Sequence, residues 1–259
     1  MTPEPVVPEV VEEKAAAMMP GQRSMSREKP FDREAWQPKT IIGKKVKAGE
    51  ITDIDAILNS GIRIMEAEIV DALVPNLQGD LIAVGQSKGK FGGGKRSIWR
   101  QTQKKTAEGN KPKFSAVAVI GNKDGYVGIG LGKAKETVPA REKAVRQAKL
   151  NLIKIRRGCG SWECGCGTPH SIPFKVKGKC GSVSMELVPA PRGTNICAEK
   201  ECSKILSLAG IKDVYANTHF STRTKLNLIK ACIDALLKLS LMKIQPEHVK
   251  MLGIKEGNK

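Results

Sequence analysis

The chain's architecture turns on Phe114-Ser-Ala-Val-Ala-Val-Ile-Gly-Asn-Lys-Asp-Gly-Tyr-Val-Gly-Ile-Gly-Leu-Gly-Lys-Ala-Lys-Glu136. Lys113 to Ile120 alternates as a strand, Gly121-Asn122-Lys123-Asp124-Gly125 is a turn, and Tyr126 to Leu131 returns as a second strand. Val127, Ile129 and Leu131 fall on one face of that return. Pro139 then opens a long helix reaching about Ile155, with Val145, Ala148, Leu152 and Ile155 on one side. Arg141, Lys143, Arg146 and Lys149 lie mostly off that stripe. The expectation is a ββα unit with a basic exterior.

Upstream, residues 1–50 read as a disordered or extended tail, acidic and Pro-rich at first, then loop-like from Arg23 to Gly49 around Trp36. Residues 51–91 read as a helical extension. Thr52-Asp53-Ile54-Asp55 resembles a capping box, and Ile62, Met65, Ile69 and Leu73 follow at helical spacing up to Pro75. The ββα unit takes 92–155, and a Gly- and Cys-rich linker takes 156–170. A second domain over 171–245 reads ββαβα: strands Ile172–Val176 and Ser182–Val188, helix Ala198–Ala209, strand Ile211–Ala216 and helix Lys225–Leu239. Residues 246–259 are left as a polar tail. The fold class is α+β in two domains, with no internal repeat.

Charge decides the partner class. Lys and Arg number 44 against 26 Asp and Glu among 259 residues, a formal net charge of +18. That excess points to polyphosphate surfaces such as RNA or DNA. Aromatic residues are only 4% of the chain, so broad stacking platforms for bases are not expected. No apolar run approaches the ~18 residues needed to span a bilayer. Glu4, Glu9, Glu12 and Glu13 near the start do not suit a signal or transit peptide. A cytoplasmic location without a membrane partner is expected.

Three nucleotide-binding patterns fall short. Gly89-Lys-Phe-Gly-Gly-Gly-Lys95-Arg96 has Arg96 where G-x-x-x-x-G-K-[ST] needs a hydroxyl for Mg²⁺. Asn122-Lys123-Asp124 places its acid one residue too early for a guanine-reading motif. Gly128-x-Gly130-x-Gly132 has Lys133 where the dinucleotide pattern needs its third glycine. Those glycines either let an RNA backbone approach, with Lys133 and Lys135 on its phosphates, or admit another protein backbone. His170, His219 and His248 are scattered, and no triad or carboxylate pair can be drawn. A GTPase- or kinase-like enzyme built on the Gly89–Lys95 loop is the rival reading, and a non-enzymatic binder is expected.

Cys159-Gly-Ser-Trp-Glu-Cys164-Gly-Cys166-Gly-Thr-Pro-His170 is the one metal-like cluster among seven cysteines. Three thiols and an imidazole make a structural Zn²⁺ set, although C-x4-C-x-C is not the usual knuckle spacing. The alternatives stay open: a tight loop of reduced thiols, Cys180 as fourth ligand, or His170 on RNA.

Together these segments resemble the universal small-subunit ribosomal protein S-five family. The resemblance rests on Phe114–Glu136, Pro169-His-Ser-Ile-Pro173, Gly181-Ser-Val183, Pro189-Ala-Pro-Arg-Gly-Thr194 and Leu208-Ala-Gly-Ile-Lys-Asp-Val214, in order across roughly Ile51 to Leu239. The Cys-rich linker and the helical extension look like the archaeal type. Two positions depart: Asn195 stands where the family usually has Gly, and His219-Phe220 replaces a Gly-containing turn. The resemblance implies a first domain related to double-stranded-RNA-binding domains and a second with a left-handed βαβ crossover. It also implies small-subunit rRNA as partner, contacts with the fourth and eighth small-subunit proteins, a place near the channel by which mRNA enters, and a part in assembly and decoding accuracy. The phosphate-contacting candidates are Lys95, Arg96, Lys104, Lys105, Lys133, Lys135, Arg141, Arg156, Arg157 and Arg192, with Gly128 and Gly130 under the RNA backbone.

Overall fold

The computed structural model describes residues 33–74, 76–86 and 96–257. The 114–136 stretch forms the centre of a five-stranded antiparallel sheet. Its strands are β1 (Gln78–Ile82), β2 (Arg100–Thr106), β3 (Gly109–Gly121), β4 (Tyr126–Ala134) and β5 (Leu152–Lys154). The order is β1-β3-β4-β5, and β2 also pairs with β3. One edge of β3 serves β2 through Gly109–Ser115 and β1 through Val117–Gly121; the other edge serves β4. Helix α4 (Thr137–Leu150) covers one face. Ala116, Ala118 and Ile120 pack there against Ala144, Val145 and Ala148.

Several expected boundaries move. The helix stops at Leu150 rather than Ile155, because Asn151 turns the chain and Leu152 pairs opposite Gly128 on the open edge of β4. Leu152 and Ile155 keep helical spacing yet sit on a strand and its exit, so periodicity alone extended the helix. β1 falls inside the expected helical extension; Gln-Gly-Asp-Leu-Ile offers too little alternation to announce a strand. The expected tail contains helix α1 (Ile41–Ala48), which starts at Thr40, whose Oγ1 accepts from Gly43 N at 3.0 Å, and ends at left-handed Gly49. α2 (Ile54–Asn59) makes no side-chain cap bond at Asp53. α3 covers only Ala67–Leu73, which leaves Ile62 and Met65 exposed outside it. Trp36, Val46, Ile57, Ile69 and Val70 from this region form a core with Tyr126 and Leu152. Tyr126 Oη donates to Asp55 at 2.6 Å, a buried tie between α2 and the sheet.

The second sheet contains β7 (Val176–Cys180), β8 (Val183–Pro189), β9 (Ile196–Cys197) and β10 (Val214–His219), ordered β7-β8-β10-β9. β9 and β10 are parallel and joined through helix α5 (Lys200–Leu208). Helix α6 (Lys225–Leu241) lies against β7 and β8. Ile172 is buried in the core but lies before β7 rather than in a strand. The C-terminal residues return to the linker: α7 (Pro246–Met251) leads to β11 (Lys255–Glu256), which pairs with β6 (Arg156–Arg157).

The two halves share one core. Val117, Val119 and Val127, on the face of the first sheet opposite α4, cluster with Met185, Leu187, Leu206, Leu228 and Leu236. Burying such side chains stabilises by about 1.5–3 kcal/mol each, so the halves stabilise one another.

Candidate nucleic-acid interface and metal centre

The glycines of β4 face α4, not solvent. A Cβ at Gly128 would lie 2.2 Å from Ala148 O, at Gly130 2.0 Å from Ala144 O, and at Gly132 1.9 Å from Ala140 O. Alternate strand residues advance roughly 6.8 Å and every fourth helix residue roughly 6.0 Å, so three glycines match three alanines in register. Gly128 and Gly130 are therefore corrected from RNA contacts to packing positions. Gly178 on β7 repeats the arrangement, its Cβ position 2.1 Å from Ala231 O of α6.

The cations concentrate elsewhere on the same sheet. Register places Lys104 opposite Lys111, Thr102 opposite Lys113, Arg100 opposite Ser115, and Ser115 opposite Lys133. With period-two alternation, Arg100, Lys104, Lys111, Lys113 and Lys133 share one face. Only Lys111 has an acidic neighbour among the described residues, Glu108 at 2.8 Å, an exposed pair that contributes little. Lys104 opposite Lys111 is a like-charge cross-strand pair, unfavourable until an anion covers it. Lys105 and Lys135 are exposed nearby, and Arg96 and Arg141 are half-buried. Lys95 and the Gly89–Gly94 loop lie outside the described residues.

Arg156 and Arg157 are corrected. Arg156 pairs with Glu256 and donates to the carbonyl of Met242. Arg157, its side chain 8% exposed, donates through Nη2 to Asp124 at 2.8 Å and to Gly257 O at 3.0 Å. Both fasten the C-terminal segment to the linker. Arg192 remains exposed on the β8–β9 loop.

Cys159, Cys164, Cys166 and His170 converge, their ligand atoms all within 4.8 Å of one another. Cys180 lies on β7, outside the group. Cys164 Sγ is 3.8 Å from His170 Nε2. In a tetrahedral site with Zn–S ~2.3 Å and Zn–N ~2.05 Å that separation would be about 3.6 Å, so the donors fit one ion. His170 Nδ1 lies 2.8 Å from Asp213 Oδ2, buried. Nδ1–H donated to that carboxylate leaves the Nε2 lone pair toward the thiols, the orientation a ligand histidine takes. The other Asp213 oxygen accepts from Gly193 N at 3.1 Å and Asn195 N at 2.9 Å. Burial, then Cys166 and Cys164, push the Cys159 thiol up to about 11. The hydroxyl and backbone N–H of Thr168 pull Cys166 down to about 6. Cys159 N donates to Leu252 O at 2.9 Å, which ties the cluster to the C-terminal segment.

Asp213 was not found from sequence. It sits inside the quoted Leu208–Val214 stretch, but nothing in its spacing links it to a histidine 43 positions earlier. Lys123 and Lys212, beside this cluster, were also missed, since single lysines in turns carry no periodic signal.

Among the described residues no helix is long and apolar enough to cross a membrane. Two sheets on a shared core, with a basic face on which only Lys111 has an acidic neighbour among the described residues, suit a structural RNA-binding protein. Residues 98–156 match the N-terminal domain of ribosomal protein S5, and residues 178–247 match its C-terminal domain. The chain is 52% identical over 225 residues to the small ribosomal subunit protein uS5 of Nanoarchaeum equitans, covering 87% of this chain and 96% of that one. It is 47% identical to the uS5 of Methanocaldococcus jannaschii (88% and 98% covered) and 46% identical to that of Methanobrevibacter smithii (87% and 99%). The chain belongs to the ribosomal protein S5 family, whose members are ribosomal components and not enzymes, and these relatives are archaeal.

Proposed function

We propose that this chain serves in the small ribosomal subunit by binding rRNA through the β2–β3–β4 face. The observation that carries the reading is that, among the described residues, five cations share this face and only one has an acidic neighbour. Lys104, Lys105, Lys133 and Lys135 contact phosphates in this reading, and Lys95, Arg96, Arg141 and Arg192 are further candidates. Phosphate contacts fix register without reading sequence, as a scaffold requires. The family resemblance supports contacts with the fourth and eighth small-subunit proteins, a position near the channel by which mRNA enters, and a role in assembly and decoding accuracy. It also supports relating the first sheet to double-stranded-RNA-binding domains and reading the β9–α5–β10 crossover as left-handed.

The test is the salt dependence of binding to protein-free small-subunit rRNA. Each lost phosphate contact lowers the slope of log K against log salt by roughly 0.7–0.9. Lys104→Ala/Lys133→Ala should flatten the slope by about two contacts; an unchanged slope would remove the face from the interface.

Cys159, Cys164, Cys166 and His170 hold one structural Zn²⁺ in this reading, supported by the convergence of four donors and the Asp213 brace. The ion would supply rigidity to a linker that has few apolar residues, Trp162 being exposed. Metal analysis should find one zinc per chain, and none in Cys164→Ser/Cys166→Ser. Equal zinc in both proteins would exclude the site.

A further inference from the structure

Between the β3–β4 turn, the linker and the β8–β9 loop lies a cleft of about 570 Å³. Four cations line it: Lys123, Arg157, Arg192 and Lys212. The two carboxylates that line it are engaged. Asp124 pairs with Arg157, and Asp213 holds His170 with one oxygen and two backbone N–H groups with the other. Lys123, Arg192 and Lys212 are exposed and have no acidic partner among the described residues. Arg157 adds an Nε that is buried without an acceptor. Unpaired cations gathered around one hollow repel one another until an anion enters.

The backbone is also shaped around this cleft. Lys123 and Asn195 are left-handed, at φ 61° and 62°, and Gly193 and Gly210 are left-handed too. A Cβ disfavours this conformation, at Lys123 more than at Asn195, whose short polar side chain tolerates it. Such strain persists where the surroundings over-determine it, commonly at ligand-holding sites. Here Lys123 N is held by Leu208 O at 2.9 Å, and Asn195 N by Asp213.

We infer that this cleft seats an rRNA phosphodiester, gripped by Lys123, Arg192 and Lys212 above the buried Arg157 guanidinium. The volume exceeds what one phosphate needs, given about 30 Å³ for a water's share of liquid, so the backbone on either side of it also enters. The site is distinct from the β2–β3–β4 face, which gathers cations along a sheet rather than in a hollow. Asp213 acts as a positioning residue: through Gly193 and Asn195 it sets the loop carrying Arg192. The inference rests on the proposal that the chain binds rRNA.

The experiment uses the full chain and protein-free small-subunit rRNA, with affinity followed across a potassium chloride series. Lys123→Ala/Arg192→Ala/Lys212→Ala should lower the log–log slope by roughly 2.1–2.7, three contacts at roughly 0.7–0.9 each. Arg192→Ala alone, at an exposed loop position that tolerates change, should lower it by roughly 0.7–0.9. Asp213→Asn should flatten the slope as Arg192→Ala does and add nothing in combination with it. A wild-type slope in both Ala variants overturns the cleft. An additive Asp213→Asn effect overturns the positioning role. If the wild-type chain failed to bind rRNA at all, the RNA reading itself would fall, a result separate from steep wild-type binding with unaffected variants. Inorganic phosphate bound by the wild type and lost in the triple variant, with the rRNA slope the same in both, would identify a free-anion pocket and overturn the inference.

Discussion

Asn195 and Phe220 occupy left-handed backbone, at φ 62° and 69°. Only glycine enters this conformation without a Cβ penalty. Asn tolerates the region through local hydrogen bonding; Phe gains nothing comparable, and its ring is 79% exposed. Phe220→Gly should therefore stabilise the isolated protein by about 0.5–1 kcal/mol, relief of about 1–2 kcal/mol offset by glycine's larger unfolded-state entropy. A lower urea midpoint for this variant would contradict the account. The linker thiols give a second residue-level expectation. The Thr168 contacts hold Cys166 near 6, so its thiolate predominates above that pH; Cys159, near 11, stays protonated through neutrality. In chelator-stripped protein, iodoacetamide should modify Cys166 first, with a rate rising through about pH 6, while zinc abolishes the reaction. Equal labelling of both cysteines at pH 7 would refute the assignment.

At the level of elements, β4 and α4 meet through Gly128, Gly130 and Gly132 against Ala148, Ala144 and Ala140. This contact is set by backbone approach rather than side-chain volume, so even a methyl group cannot enter. Gly130→Ala should cost about 3 kcal/mol or more in urea unfolding, and Gly130→Val should prevent the first sheet from packing at all. By contrast, Gly165→Ala, with nothing within 4 Å of its Cβ position, should stay within about 0.5 kcal/mol of the original. The same element shows what was legible in the sequence. The strand, turn and helix of 114–150 were readable because period-two alternation, a Gly-bounded turn and a 3.6-residue stripe each declare themselves locally. The partner of the glycines was not, because a missing side chain records that something comes close without recording what. β1 and α1 were missed for related reasons: β1 owes its existence to an open edge of β3, and α1 to burial of Val46 beneath neighbouring helices. The convergence of Cys159, Cys164, Cys166 and His170 was visible from donor chemistry. Asp213 was not, since its role comes from tertiary placement.

For the whole molecule, the shared core makes cooperativity the governing property. Val117 and Val127 from the first sheet pack in the same cluster as Leu206 and Leu236 from the second half, so neither half keeps its core alone. Urea transitions followed by tryptophan fluorescence, which reports the first half through Trp36 and Trp99, and by hydrogen exchange in α6 should coincide. The C-terminal segment closes this arrangement from outside both sheets. β11 pairs with β6, Glu256 neutralises Arg156 and approaches Lys154 at 3.7 Å, Gly257 O accepts from Arg157, and Leu252 O accepts from Cys159 N. Arg157 is then the residue most affected by loss of the segment. Its guanidinium would lose the buried Gly257 carbonyl and keep only half-exposed Asp124 as its ion-pair partner among the described residues. Truncation after Lys243 should lower stability by about 3–6 kcal/mol, since a hydrogen bond to a charged group contributes about 1.5–3 kcal/mol and two such arginine contacts disappear along with the strand pairing. It should also weaken zinc retention in a chelator competition, because Cys159 would lose the bond that fixes its backbone. A truncated chain with unchanged stability and zinc retention would show that the segment merely rests on the linker. Loss of zinc retention without loss of stability would restrict its role to holding the metal loop.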